Sequence, residues 1–372
     1  MRDPHVSLLP TPEQEMLRDT VREVVAERSP LAAVRQVIAG PGDYDDQVWL
    51  LLSRELGLAG LAVPEPLGGS GGGAGELVAV FTELGAGLVP SPLLACTLAA
   101  TALQVVPGES ATVRALAAGE LIASVALTEQ PEAGADWIPP APATTVSRRD
   151  GRARLSGRKT IVLNGTAAGV LLVLAHEDGR NVLCLIDGAD PGVRAVALPP
   201  TDLSRSLAQV DFADVPARVL DADVPAVLGR IRDVANLVLA AEGCGALAAC
   251  VAMVSDHAKA RTAFGRPIGA FQAVKHRAAD MYTSWELAHA ALREAVRLAD
   301  DETRFGLAAA TARALVSPAY LRAAGDTIQL HGGIGYTWEH DAHLYYRHAM
   351  SSHALCGDPD FQLSLIATSA GI

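Results

Sequence analysis

Three stretches carry residue types that chemistry needs. The run 328–350, IQLHGGIGYTWEHDAHLYYRHAM, sets Gly332, Gly333 and Gly335 between two apolar-periodic segments. Each glycine costs a helix interior about 1 kcal/mol against alanine. The run therefore predicts a helix end and a turn whose bare backbone another chain or a ligand can approach. Upstream, residues 261–281 read RTAFGRPIGAFQAVKHRAADM. Arg261 follows a long helical pattern and stands beside Phe264-Gly265. A guanidinium there suits a bidentate grip on a pyrophosphate, the plainer alternative being a surface ion pair. In residues 126–136, ALTEQPEAGAD, a strand runs into a glycine-containing turn that exposes backbone N–H groups.

Other suggestive residues read as structural. The Gly71–Gly73 run follows Pro-Glu-Pro rather than a strand and has no lysine where a phosphate loop needs one, so a mobile loop is expected. Cys356 reads as an inert buried thiol with no neighbouring cation evident. Glu242, on an apolar helix, reads as a satisfied buried acid, and Glu339 and Asp358 as structural.

The elements that must position these residues follow from pattern. Thr11-Pro12-Glu13 opens a helix, with Thr as N-cap, Pro at N1 and an acid in the first turn. Gly40–Asp43 is a break, and a second helix runs from Asp46 through Trp49 and Leu52. Residues 76–87 and 91–106 read as further helices. From Leu121 the pattern changes to short, partly β-branched runs at 121–128, 152–156, 169–176, 181–187 and 207–212. Asp150-Gly151 and Asp178-Gly179 fall between such runs as hairpin turns. Pro139, Pro140 and Pro142 mark an irregular loop. Helical spacing returns from Val227, with one continuous stripe of Phe271, Val274, Ala278, Met281, Trp285, Ala288, Leu292 and Ala295. Pro318 predicts a kink or short break. The reading is an α+β chain: an N-terminal helical domain (1–120), a central, mostly antiparallel β domain (121–226) and a C-terminal four-helix-bundle domain (227–372).

Composition bounds the function. The 372 residues suffice for two or three domains, and a net charge of −12 argues against non-specific binding to nucleic acid or an anionic membrane. The five cysteines show no C-x-x-C spacing and read as reduced thiols of a cytoplasmic protein. MRDPHVSLLP has no apolar core, so no signal peptide is expected. The most apolar long run, 237–254, is interrupted by Glu242 and reads as a buried bundle helix rather than a membrane span.

The three stretches, in this order, resemble the acyl-CoA dehydrogenase family over nearly the whole chain. The resemblance implies an FAD enzyme that removes hydrogens from Cα and Cβ of an acyl thioester of CoA or of an acyl-carrier protein. It also implies a homo- or hetero-tetramer and an electron-transfer flavoprotein or similar acceptor. Leu127 and Thr128 would lie against the flavin ring. Gly134 and Ala135 would approach its phosphates or the acyl chain, with Ala135 replacing the usual serine. Ile161 and Leu163 stand where the family has a tryptophan wall and a threonine donor. Arg261, with Phe264, would grip the pyrophosphate. Phe271 and Gln272, and Gln329 before Gly332 and Gly333, would hold the adenosine part of a neighbouring subunit's flavin. Asp233 matches a position near the acyl-CoA channel, where Asn236 replaces the accompanying arginine.

The family's base is a glutamate nine residues after an arginine that corresponds to Arg347, and that position is Cys356. Ala235 occupies the alternative seat on an earlier helix. Residues 328–358 resemble the base-lacking subunits of heteromeric bacterial members. Three readings follow: a dehydrogenase subunit whose partner chain carries the catalytic glutamate, a non-catalytic structural partner, or a flavin-dependent oxygenase of the same fold that needs no α-proton base.

Overall fold

A computed structural model describes residues 9–372. The N-terminal stretch read above for a leader lies, up to residue 8, outside them. The first helix, α1 (Pro12–Arg28), starts as its sequence demands: Gln14 N–H donates to Thr11 Oγ1, and Thr11 N–H donates back to Gln14 Oε1. Next comes α2 (Leu31–Ala39), in a stretch the sequence left unassigned. The helix expected from Asp46 is a short α3 (Asp46–Leu50), capped by Asp45 and continued by one π-helical turn, Leu51–Glu55.

The glycine loop at 68–73 is not the loose segment expected. Ser70, Gly71 and Gly72 N–H groups donate to the carbonyls of Gly60, Val63 and Leu61 at 3.0, 2.9 and 2.8 Å. A Cβ on Gly69 would collide with the Val63 and Gly60 carbonyls. Glycine is required there for close backbone packing. Then follow α4 (Ala74–Gly87), α5 (Leu93–Leu103), buried along its whole length, and an unanticipated α6 (Ser110–Ala117).

The centre is an eight-stranded sheet built from β1 (Ala123–Ala126), β2 (Thr145–Arg149), β3 (Arg152–Leu163), β4 (Val170–Glu177), β5 (Arg180–Asp187), β6 (Val193–Ala197), β7 (Leu207–Pro216) and β8 (Arg218–Val219). The order is β6-β7-β3-β2-β4-β5-β8, with β1 pairing in parallel on β4. Most pairings are antiparallel. Both expected hairpin turns are present: Asp150-Gly151 joins β2 to β3 and Asp178-Gly179 joins β4 to β5, all four residues at positive φ. β2 and β6 escaped the sequence reading because they are five residues each and mostly exposed, β2 with a polar outer face, so neither shows a clear buried alternation.

The C-terminal helices are α7 (Val224–Ala260), α8 (Gln272–Arg297), α9 (Phe305–His331), α10 (Ala342–Ala354) and α11 (Pro359–Ser369). A small ribbon, β9 (Thr262–Ala263) with β10 (Arg266–Pro267), links α7 to α8. The helix α9 runs unbroken through Pro318, where a kink or break was expected. Packing against α7, α8, α10 and α11 holds it in one piece. Asp233 faces Gly306, Gly243 faces Val316, and His257 stacks on His331, so α7 and α9 run side by side in the same direction. By length and composition α7 could cross a membrane. Its apolar run Leu237–Ala241 is fully buried among the other elements.

Helices α4 and α7 cross in backbone contact. A Cβ on Gly85 would strike the Glu242 carbonyl, and one on Gly245 the Thr82 carbonyl. Overpacking such a contact typically costs about 1–3 kcal/mol, occasionally more. Gly85→Ala and Gly245→Ala should each lower the urea midpoint by a corresponding amount. A variant that unfolds at the wild-type midpoint would disprove the close crossing.

Candidate functional site

Where sheet and helices meet there is a closed cavity of about 40 Å³. It is lined by Leu98 of α5, Val125 of β1, Leu127, Thr128, Pro131, Trp137, Ile161, Leu163 and the segment Ala354–Cys356 after α10. Residues singled out far apart in the chain (Leu127, Thr128, Ile161, Leu163 and Cys356) thus share one space.

Local chemistry sets each wall. The chain leaving β1 is stitched to β3: Thr160 N–H donates to Thr128 O at 2.9 Å, and Lys159 Nζ donates to Leu127 O at 3.2 Å and to Glu129 Oε1 at 2.7 Å. Lys159 is fully buried. Burial drags its ammonium down to about 8, with Glu129 opposing the shift. The Glu129 carboxylate also accepts from Ala143 and Thr144 N–H, closing the loop 130–142 at its base. Ile161 sits at φ 53°, beside a register shift in the β3–β7 pairing. A β-branched side chain is strained in this left-handed region. The Thr128 hydroxyl donates to Trp137 O at 3.0 Å.

Gly134 and Ala135 lie on the exposed loop nearby. Gly134 N–H donates to Asp358 Oδ2 at 2.7 Å, while Asp358 Oδ1 caps α11 by accepting from Phe361 N–H. Asp358 is structural, as read.

The chain turns tightly at the position that the resemblance gives to a base. Cys356 (φ 56°) and Gly357 (φ 92°) are both left-handed. Burial pushes the Cys356 thiol up to about 12, although Arg313 and Arg205 pull the other way. The expectation of no nearby cation was wrong; the expectation of an inert thiol stands, because desolvation wins. Arg313 is buried and donates to the carbonyls of Ser352 and Leu355 at the end of α10. Among the residues lining the cavity there is no carboxylate. Ala235 is fully buried within α7.

Glu242 is held elsewhere. Its Oε2 accepts from Arg205 Nη2 at 2.6 Å, and His348 Nε2 lies 3.8 Å from Oε1. Burial alone would raise this carboxyl; Arg205 and His348 outweigh it and hold it below the ordinary carboxylate range. Arg205 also pairs with Asp202 at 3.4 Å. Glu242, Arg205 and His348 line a second, polar cavity of about 20 Å³ that shares Leu163 with the first.

Two residues of the channel reading lie on α7. Burial pushes Asp233 up to about 6, against Arg232 and Arg230. Asn236 is buried, and neither its amide nitrogen nor its oxygen has a partner. A third group stands apart at the shared ends of α7 and α9. Arg261, Phe264, Gln272, Gln329, Gly332 and Gly333 are all exposed there, and Phe271 is half-buried. Arg266 covers the Phe271 ring at 4.2 Å, and His257, His331 and His340 stack in series beneath the glycine turn.

Sequence reasoning missed Leu98, Glu129, Trp137 and Lys159. The signal for the Glu129–Lys159 pair was faint: Lys159 follows Arg158 in a strand with several cations, and only the strand's alternation, which turns Lys159 inward and Arg158 outward, sets it apart. Trp137 carried no periodic signal. Its indole Nε1 is buried and unpaired. Apolar walls with one orphan donor fit a planar ring bearing acceptors on its edge. The cavity holds no more than a few waters as it stands, so a ring enters only if a wall yields. The exposed loop 130–136 is held to the helices by two polar ties, Gly134 N–H to Asp358 and Asp136 to Arg232.

Because the folded-state pKa of Glu242 is depressed, its stabilisation is complete above the ordinary carboxylate pKa and fades as pH falls below it. Glu242→Gln leaves Arg205 under-compensated and should cost about 3–5 kcal/mol at neutral pH. The difference from wild type should shrink toward pH 3. Urea melts at pH 7 and pH 3 check both, and an equal difference at the two values would count against the pair.

Comparison with known proteins agrees with this geometry. A model of the acyl-CoA dehydrogenase N-terminal domain matches residues 11–107, and one of the C-terminal domain matches residues 233–371. The chain is 36% identical over 353 residues to acyl-CoA dehydrogenase IpdE2 of Mycobacterium tuberculosis, covering 95% of each. It superposes on a steroid ACAD from the Tcur3481–Tcur3483 pair with TM-score 0.87 and 30% identity, covering 96% of this chain and 98% of that one. The ChsE4–ChsE5 complex of M. tuberculosis gives TM-score 0.88 at 26% identity, covering 98% and 99%. A helical–sheet–helical fold, an apolar junction between sheet and bundle and these matches along both ends of the chain lead to one conclusion: it is an oxidoreductase of the acyl-CoA dehydrogenase family, whose cofactor is FAD.

Proposed function

We propose that this chain is one subunit of a heteromeric acyl-CoA dehydrogenase, in which a related partner chain supplies the carboxylate that removes the α-proton of an acyl thioester. The observation that carries the reading is Cys356. It fills the base seat with a thiol held protonated to about 12, in a cavity without a lining carboxylate. A base must be deprotonated at working pH and reach Cα. Neither Cys356 nor the ion-paired Glu242 meets both conditions.

When bound, FAD supplies the acceptor for the Cβ hydride. This chain's own residues then divide the remaining tasks. Leu127, Thr128, Ile161 and Leu163 wall the ring and exclude water. Gly134 and Ala135 lie on the loop beside it, and their N–H groups, which now donate to Asp358 Oδ2 and Glu132 O, would reach a phosphate only by giving up those bonds. Arg261, Phe264, Gln272, Gln329, Gly332 and Gly333 stand exposed, with Phe271 half-buried among them, as groups reaching a neighbouring subunit's FAD must. Asp233 and the unpaired amide of Asn236 face the acyl-thioester channel.

Three relatives support a paired assembly. The ChsE4–ChsE5 complex and the Tcur3481–Tcur3483 pair are each named for two chains. FadE34 of M. tuberculosis is matched over 90% of this chain but only 44% of its own length, which leaves room for a second unit of this size. The word steroid in one of these names makes a steroid-derived acyl-CoA the substrate class to try first. An electron-transfer flavoprotein or similar acceptor would reoxidise the assembly.

The test is reconstitution. FAD-loaded protein purified alone should not bleach at 450 nm with a steroid-side-chain acyl-CoA. Mixing with a family member that carries the glutamate should restore bleaching. Cys356→Ala should leave the mixed complex at the wild-type rate. Bleaching by the isolated chain would refute the reading, as would a rate that collapses with Cys356→Ala.

A further inference from the structure

We propose that Trp137 is the aromatic wall and N–H donor of the flavin-ring site in this chain, in the role that Ile161 and Leu163 cannot fill. The inference rests on the reading of the cavity as the flavin site.

Four observations carry it. Trp137 lines the same cavity as Leu127, Thr128, Ile161 and Leu163, and is the aromatic residue among the lining set. Its Nε1 is buried without a hydrogen-bond partner. An indole N–H only donates, and tryptophan is normally accommodated in an interior where that N–H finds an acceptor. The bond from the Thr128 hydroxyl to Trp137 O fixes the backbone of Trp137 to the very residue that follows Leu127 on the ring wall. Finally, the segment leading into it is tethered at two points: Asp136 pairs with Arg232 at 2.5 Å, and Gly134 N–H reaches Asp358.

These ties give the indole a defined place, and a flavin enters only if the loop before it gives up one of them. Ile161 and Leu163 present only aliphatic contact. The Thr128 hydroxyl already donates to Trp137 O. The buried indole N–H is thus a side-chain donor at this cavity with nothing yet to bond. The acceptors that a flavin presents on its edge are its ring nitrogens and its two carbonyls. A hydrogen bond to that edge strengthens as the ring becomes anionic on reduction, so Trp137 would raise the flavin's midpoint potential as well as its affinity.

Two variants separate wall from donor. Trp137→Phe keeps the ring face and removes the N–H. It should weaken FAD binding by roughly up to tenfold, shift the flavin absorbance bands and lower the midpoint potential, with the thermal midpoint unchanged. Trp137→Leu removes the face as well and should lose at least tenfold more in FAD affinity. FAD titrated into apoprotein, alone and with the glutamate-bearing partner, reads the affinities, and spectroelectrochemistry reads the potential. Wild-type affinity, spectrum and potential in Trp137→Phe would overturn the donor role, and wild-type affinity in Trp137→Leu the wall. A Trp137→Phe protein altered only in KM for acyl-CoA would assign the N–H to the thioester and overturn the proposal. If the wild-type chain takes up no FAD in either state, the cavity reading fails together with the inference. A flavin-loaded wild type with indifferent variants fails the inference alone.

Discussion

The buried pair between Arg205 and Glu242 ties the molecule together. Arg205 comes from the segment entering β7, Glu242 from the middle of α7, and His348, against both, from α10. Sheet, long helix and C-terminal bundle are therefore joined at one point of low dielectric. A charge pair out of water is strongly favoured only when its remaining hydrogen-bonding capacity is met. Asp202 serves Arg205, and the hydroxyl of Tyr320 meets His348 while donating to Tyr345 O. The relative placement of β3 and the end of α10, which form opposite walls of the cavity, depends on this junction.

A second junction lies close by. The turn at Cys356 is shaped by Arg313, whose guanidinium satisfies carbonyls left open at the end of α10. The cation belongs to the backbone, and its pull on the thiol is smaller than the penalty of burying a thiolate. Glu242, although an acid in a buried helix, is committed to the junction and has no proton-accepting capacity to spare.

Much of the fold was legible from the chain. The N-cap at Thr11, the two Asp-Gly hairpins and the stripe on α8 are local signals, and each formed as read. The elements that escaped, α2, α6, β2 and β6, are short, and β2 and β6 bury little of their own length. Pro318 misled because neighbouring helices outweigh one lost hydrogen bond. The glycine loop misled because its backbone contacts run to residues before it that no local pattern reveals. At the site, motif residues were legible because they recur in order. Trp137, Lys159 and Arg313 were not, because their meaning lies in what is absent around them: a missing acceptor, missing water, a missing carboxylate partner.

The aromatic residues around the glycine turn are left open to solvent. Phe264 is 95% exposed, Tyr336 74% and Trp338 60%. Exposed aromatic rings are an aggregation liability in a solitary protomer when no second surface covers them. Solubility at high concentration therefore depends on these rings as well as on the fold, and polar replacements there should delay precipitation without touching the core.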